Sequence, residues 1–276
     1  MGVSTLTFNG ISTVDDNFWK VKNNENQDRK VGIVIQSPPV YEFPTKDIES
    51  IHVEGKSGDV IIDKNSFRNV KRTYSIAAIF GEDVSFVSVA SKITQWLLST
   101  KGYAKLEDTY EPLYYRMAQF SNPGELRNFY NRVTAMPVSF DCKPQRYLKS
   151  GDTDIVLELG QEEGVYLIEN QTNQISLPEI YLSAEDLVIE VYNGGENTGP
   201  KEITGYTSTT TVAVSGNETL IVDSEYQDCY NGSTLKNDKV SLSNGFPKLT
   251  PGKNWIVLRS LVQVTSIKIK PKWWTL

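Results

Sequence analysis

The chain reads as a mainly β protein with an α+β first half and an all-β second half, and three features of its sequence predict this. Short apolar and β-branched runs recur between Gly, Asn and Pro turn signals from one end to the other. Only one stretch, residues 85–100, repeats its large apolar residues at three- and four-residue spacing. Near the C-terminus Ile267 and Ile269 alternate with Lys268 and Lys270, a period of two that sets lysines on a wet face and isoleucines in a core.

In chain order, residues 5–8 and 31–35 are short extended runs, and 50–53 and 60–62 flank Gly55-Lys-Ser-Gly-Asp59, which has the composition of a hairpin turn. Residues 72–80 form a further candidate strand. The helix follows over 85–100, with Phe86, Val89, Ile93, Trp96 and Leu97 on one face and Gly102 as its stop, and it is expected to lie across a sheet. Residues 113–120 and 136–142 suit an antiparallel pair, the second carrying Met136, Val138, Phe140 and Cys142 on one side. The stretch 144–152 leaves that strand and marks the expected domain boundary, giving domains 1–150 and 151–276. Beyond it no helix is expected. Eight runs (155–159, 165–169, 187–192, 207–214, 219–222, 240–242, 255–258 and 264–269) are separated by turns at 193–195, 215–217, 231–232, 244–245 and 251–252, a pattern that predicts a β-sandwich. Pro271 ends the last run because it cannot donate to a sheet ladder, and Trp273 and Trp274 are expected to pin the chain end.

Composition narrows the function. At 276 residues the chain can bury its cores without disulfides or metals. A net charge of -6 and a pI near 5.1 disfavour a dedicated nucleic-acid binder, which needs clustered Lys and Arg. Cys142 and Cys229 fall in different halves and read as two buried thiols. No apolar run approaches the roughly 20 residues of a spanning helix, so no membrane insertion is expected. The opening Met1-Gly-Val-Ser-Thr-Leu6 lacks a secretion pattern and carries Leu6 where N-myristoylation requires Ser or Thr, so a cytosolic product is expected.

Catalytic chemistry is sparse. His52 is the single histidine; it lies in a predicted strand and reads as an ordinary strand residue, which removes two-imidazole zinc sites. Gly55-Lys56-Ser57 has Ser50 where a phosphate-binding loop needs glycine, and a strand follows where a helix should. The acidic pairs Asp15-Asp16, Glu82-Asp83, Glu107-Asp108 and Glu162-Glu163 are adjacent and should point apart, unlike the facing carboxylates of a glycosidase. Asp59-Val-Ile-Ile-Asp63 and Asp152-Thr-Asp154 lack the spacing of a calcium loop. The residues therefore imply no catalytic site, no metal and no cofactor. Aromatics cluster at 110–115, Phe129-Tyr130 and Trp273-Trp274, where they fill cores, stack on sugars or anchor an interface.

The order of short motifs resembles the distal tail proteins of long, flexible-tailed phages. These motifs are Leu6-Thr-Phe-Asn-Gly-Ile11, the Gly-Lys-Ser-Gly-Asp turn at 55–59, Trp96-Leu97, Gly102-Tyr-Ala-Lys-Leu-Glu-Asp108, Tyr114-Tyr-Arg116 and Val138-Ser-Phe-Asp-Cys-Lys-Pro-Gln-Arg146. In the second half they are Leu220-Ile-Val-Asp-Ser224, Pro247-Lys-Leu-Thr-Pro-Gly-Lys-Asn254 and Pro271-Lys-Trp-Trp274. The resemblance implies a split-barrel N-terminal domain with one helix and a galectin-like β-sandwich at the C-terminus. It further implies a non-enzymatic homo-hexameric ring in the virion tail tip, assembled in the host cytoplasm, that joins the tail-tube protein to the tail-tip hub. The C-terminal domains would project and carry receptor-binding or baseplate proteins, and DNA would only pass through the lumen. A carbohydrate-binding module for cell-wall glycans, using exposed tyrosines or Trp273-Trp274, is the alternative, and a cell-wall glycosidase the second. No contact residues for the ring are assigned.

Overall fold

The computed structural model describes residues 4–122, 127–129, 133–157, 164–184, 187–215, 218–260 and 266–276. Among them the protein is mainly β with one α-helix, and it divides into two compact units, Met1–Arg146 with Leu276, and Tyr147–Thr275. The expectations placed on Gly2, Phe129-Tyr130, Glu162-Glu163, the 216–217 turn, Leu159 and Val264 lie outside the described residues or their described side chains.

In the first unit one antiparallel sheet runs in the spatial order Ile11–Ser12, Leu6–Phe8, Ala104–Asp108, Tyr114–Asn122, Val133–Cys142, Val70–Ile79, Gly32–Tyr41, with Arg127–Phe129 also pairing the Val133–Cys142 strand. Alternation makes its core: Met136, Val138, Phe140 and Cys142 are all buried, as are Tyr74, Ile76 and Ala78 on the neighbouring strand. The helix spans Phe86–Leu97, one turn shorter than the sequence pattern predicts, and buries Val89, Ile93, Trp96 and Leu97. Its start is set by Ser85, whose hydroxyl accepts from the Val87 amide at 3.2 Å. Trp96 meets Trp19 edge-on at 5.4 Å, and the two indoles donate to the main-chain oxygens of Ile11 (3.2 Å) and Ser12 (2.8 Å). The helix is thereby fixed to the first strands of the chain.

A charged cluster is buried beside this core. The Arg72 guanidinium pairs with Asp108 (3.0 Å) and Glu111 (3.1 Å) and donates to the Tyr74 hydroxyl (2.9 Å), which in turn donates to Asp108 (2.5 Å). Asp108 also accepts from the amides of Tyr110 and Glu111, while Glu111 holds Arg116 (3.4 Å) and Arg146 (3.2 Å). Burial works against the Arg72 charge, but Tyr74, Asp108 and Glu111 outweigh it and hold its pKa above the usual value. Three stretches that the sequence presents separately, 102–108, 114–116 and 138–146, converge on this one network.

The second unit is a sandwich. A six-stranded sheet in the order Ile155–Leu157, Ser266–Lys270, Glu179–Ala184, Glu218–Asp223, Asp228–Asn231, Thr234–Leu235 shares one apolar core with a five-stranded sheet. The latter runs Val165–Asn170, Gly252–Ser260, Leu187–Gly199, Glu202–Val214, Val240–Ser243. Ile180, Leu182, Ile267 and Ile269 from the first meet Ile168, Ile189, Val191 and Ile256 from the second. Lys268 is exposed and Lys270 half-buried on the opposite face from the two isoleucines. At one end of the sandwich the fully buried Asn254 closes the Thr250–Gly252 turn, where Gly252 takes a φ of +86°. Its side chain accepts from Thr250 N (2.9 Å) and Asn193 Nδ2 (2.8 Å) and donates to the main-chain oxygens of Thr250 (2.9 Å), Gly252 (3.0 Å) and Ile168 (3.3 Å).

Two stability outcomes follow from these buried polar groups. Arg72→Met leaves Asp108 without its cation, while Glu111 keeps Arg116 and Arg146, and should cost about 3 kcal/mol, read as a lower urea midpoint of the first unit. Asn254→Ala leaves the Thr250 amide and the Ile168 carbonyl without their side-chain partner and should cost about 2–3 kcal/mol in the second unit, whereas Lys268→Ala, on the exposed face of its strand, should stay within about 0.5 kcal/mol.

Candidate assembly interface

One element of the first unit has no core of its own. Strands Lys46–His52 and Asp59–Phe67 form a separate two-stranded antiparallel sheet in which every residue of 46–67 except Asp47 and Phe67 is exposed. Its turn uses Gly55 and Gly58, both at positive φ. A two-stranded hairpin alone is at best marginally stable in water.

Its two faces differ. Register pairs Glu49 with Ile62 and Ile51 with Val60, so one side carries Ile51, Val60 and Ile62, with Lys64 reaching Glu49 at 3.8 Å. The other side pairs Ser50 with Ile61 and His52 with Asp59, and carries the Lys46–Asp63 ion pair at 2.7 Å. Ile61 is 64% exposed, and Phe43, just before the first strand, is 88% exposed. Apolar side chains are therefore exposed on both sides of the hairpin, Ile51, Val60 and Ile62 on one and Ile48 and Ile61 on the other, an exposure that suits a contact site.

The root of the hairpin is tied to the sheet. The Arg72 guanidinium lies over the Tyr41 ring at 4.0 Å, Lys71 N donates to Glu42 (2.9 Å), Arg68 N donates to Thr45 O (2.9 Å) and Arg68 pairs with Asp47 (3.1 Å). The buried charge cluster thus anchors the base while the tip projects into solvent.

The residues weighed for catalysis are dispersed. On the side of the hairpin that bears Ser50 and His52, Ser50 donates to Asp59 (2.7 Å) and His52 Nδ1 lies 3.1 Å from the same carboxylate, which these bonds hold below the usual carboxylate range. Ser50 is bonded to the carboxylate rather than to the imidazole, and His52 is 74% exposed in its side chain, so no base activates the hydroxyl. Gly55-Lys56-Ser57 is the turn itself. Asp15 caps the amides of Asn17 and Phe18, Asp16 pairs with Lys30, and Asp83 holds Asn23 and Arg29. Glu107 pairs with Lys105 at 3.6 Å while Asp108 turns into the buried cluster, as strand alternation requires. Among the described residues no group of three or more His, Cys, Asp or Glu is placed to hold a metal ion, and no helix is long and apolar enough to cross a membrane. Cys142 and Cys229 are buried, which pushes their thiols up to about 12 and about 11. Trp273 packs on the second core and Trp274 donates to Ile175 O at 2.9 Å, so this pair is occupied in pinning the chain. The length of the hairpin escaped the sequence reading because Lys46, Asp47, Glu49, Asp63 and Lys64 interrupt its apolar residues.

No protein-family model matches the chain, and no curated protein is similar to it. Among solved structures it is similar to the crystal structure of the SPP1 Dit (gp 19.1) protein, described as a paradigm of the hub adsorption apparatus in phages that infect Gram-positive bacteria. The match covers 97% of this chain and 98% of that one, with a TM-score of 0.55 and 11% sequence identity. The two chains share a fold over essentially their full lengths.

Ile51 and Ile62 are largely exposed, so Ile51→Asp with Ile62→Asp, which also sets a carboxylate opposite Glu49, should cost no more than about 1 kcal/mol per site in monomer unfolding. The same change at the fully buried Ile189 should unfold the second unit. Urea titration at low protein concentration distinguishes the two.

Proposed function

We propose that the protein is a structural, non-enzymatic adaptor of a phage tail tip, forming a six-membered ring between the tail tube and the tail-tip hub. The full-length likeness to the SPP1 Dit fold carries this reading. The exposed hairpin adds a physical reason for assembly. A head-to-tail contact that closes after a fixed rotation needs a projecting element on one side and a receiving surface on the next copy, and this arm supplies the first. The ring belongs to the first unit, as a split-barrel related in shape to tube proteins. The second unit, read as a galectin-like sandwich, carries receptor-binding or other baseplate proteins.

Charge suits a conduit. The acidic excess of the chain lies almost wholly in residues 147–276, while residues 1–146 are close to neutral. Residues 1–146 carry 18 basic and 17 acidic side chains, a net +1 per copy, so a ring built from the first unit is nearly neutral, with little net attraction for a passing polyanion, and the whole-chain value of -6 says little about the lumen. The protein acts in the virion and is made and assembled in the host cytoplasm.

Native mass spectrometry with negative-stain imaging over a concentration series tests the proposal. The expected result is a six-fold ring that the Ile51→Asp, Ile62→Asp protein fails to form. A protein that stays monomeric at all concentrations, alone and with its tube and hub partners, would overturn it.

A further inference from the structure

The five-stranded sheet of the second unit has an outward face of its own character. Leu167, Trp255, Tyr192 and Thr209 stand in register across four adjacent strands, a row about 14 Å long at ordinary strand spacing. Tyr206 stands edge-on to Tyr192, with ring centroids 4.9 Å apart and planes at 71°, and is 44% exposed.

The row is held in place. The Trp255 indole donates to Gly195 O at 3.1 Å. Gly195 has a φ of +78°, and a Cβ there would lie 2.5 Å from Thr204 O, so the backbone beneath the ring admits only glycine. Such fixing lowers the ordering cost of binding.

The rim is polar but matched. Glu190 accepts from Arg259 (2.9 Å) and from the Tyr192 hydroxyl (2.8 Å), and Glu196 pairs with Lys253 at 2.6 Å. Glu190 and Glu196 each have a cation, while the exposed Glu169 on the same face adds negative charge, so the rim is set against an anionic ligand. Hydroxyls and charged pairs that can donate and accept remain beside flat aromatic surface. That combination suits a ligand with apolar C–H faces and a rim of neutral hydroxyls.

We propose that this face binds an uncharged oligosaccharide, with Trp255 and Tyr206 against the pyranose faces and Glu190 and Arg259 bonded to ring hydroxyls. Its length suits several linked sugars rather than one. The site differs from the Trp273-Trp274 pair that the sequence brings forward.

The test is calorimetric titration of the purified full chain with oligomers of glucose, galactose and N-acetylglucosamine, alongside an oligogalacturonate of similar length. Binding of at least one neutral oligomer with a tryptophan fluorescence change is expected. Trp255→Ala and Tyr206→Ala should each weaken it about tenfold or more, and Tyr226→Ala, an exposed tyrosine outside this sheet, should not. Tyr206 touches little of the core, so its variant remains informative if Trp255→Ala lowers the melting temperature. Absence of binding across the neutral set, tighter binding of the oligogalacturonate, or binding indifferent to both substitutions would overturn the proposal. So would shielding of Trp255 from an added quencher on ring assembly, which would make the face a contact between copies.

Discussion

The Arg72 guanidinium is the point on which the first unit turns. It lies on the strand Val70–Ile79, with the Tyr41 ring over its face, the Tyr74 hydroxyl on its Nε and two carboxylates, Asp108 and Glu111, on its remaining donor edge. A buried charge is tolerated only when so surrounded, and the surroundings come from three segments of the chain. Tyr41 is the last residue of a sheet strand, and the hairpin leaves the sheet just after it. The same contacts that satisfy the charge therefore orient the base of the arm. A hairpin with no core needs such a root, since its own cross-strand pairs cannot hold its direction.

The two units solve the burial of polar groups differently. In the first, formal charges are gathered inside and matched by arginines; in the second, buried asparagines and a turn backbone satisfy one another around Asn254. Neither arrangement resembles a catalytic site. The carboxylates are neutralised, the single histidine is exposed, and the thiols are buried. What the described surface offers instead is an apolar arm on one unit and an aromatic sheet face on the other.

Much of the fold was legible because alternation writes burial directly: Met136 to Cys142 and Ile267 with Ile269 lie where period two puts them. The helix announced itself by Val89, Ile93 and Trp96, although its last turn frays at Leu98, whose side chain has no core to meet. The strand Glu179–Ala184 went unread because Pro178 precedes it and Glu179, Tyr181 and Ser183 dilute the signal of Ile180 and Leu182. The strand Ala104–Asp108 was hidden for a sharper reason, since it turns Asp108 inward, against the usual rule for a charge. The functional surfaces were the least visible. Charged residues break the apolar run of the hairpin, and the row of Leu167, Trp255, Tyr192 and Thr209 is assembled from four strands that no local pattern connects.

The central claim is that the hairpin is an arm completed by another copy of the chain, and amide hydrogen exchange measures this directly. The amides of residues 48–62 should exchange rapidly in the monomer, well ahead of the Val133–Cys142 strand, and become strongly protected when the ring forms. Protection already present in the monomer, or rapid exchange that persists in the ring, would contradict the account.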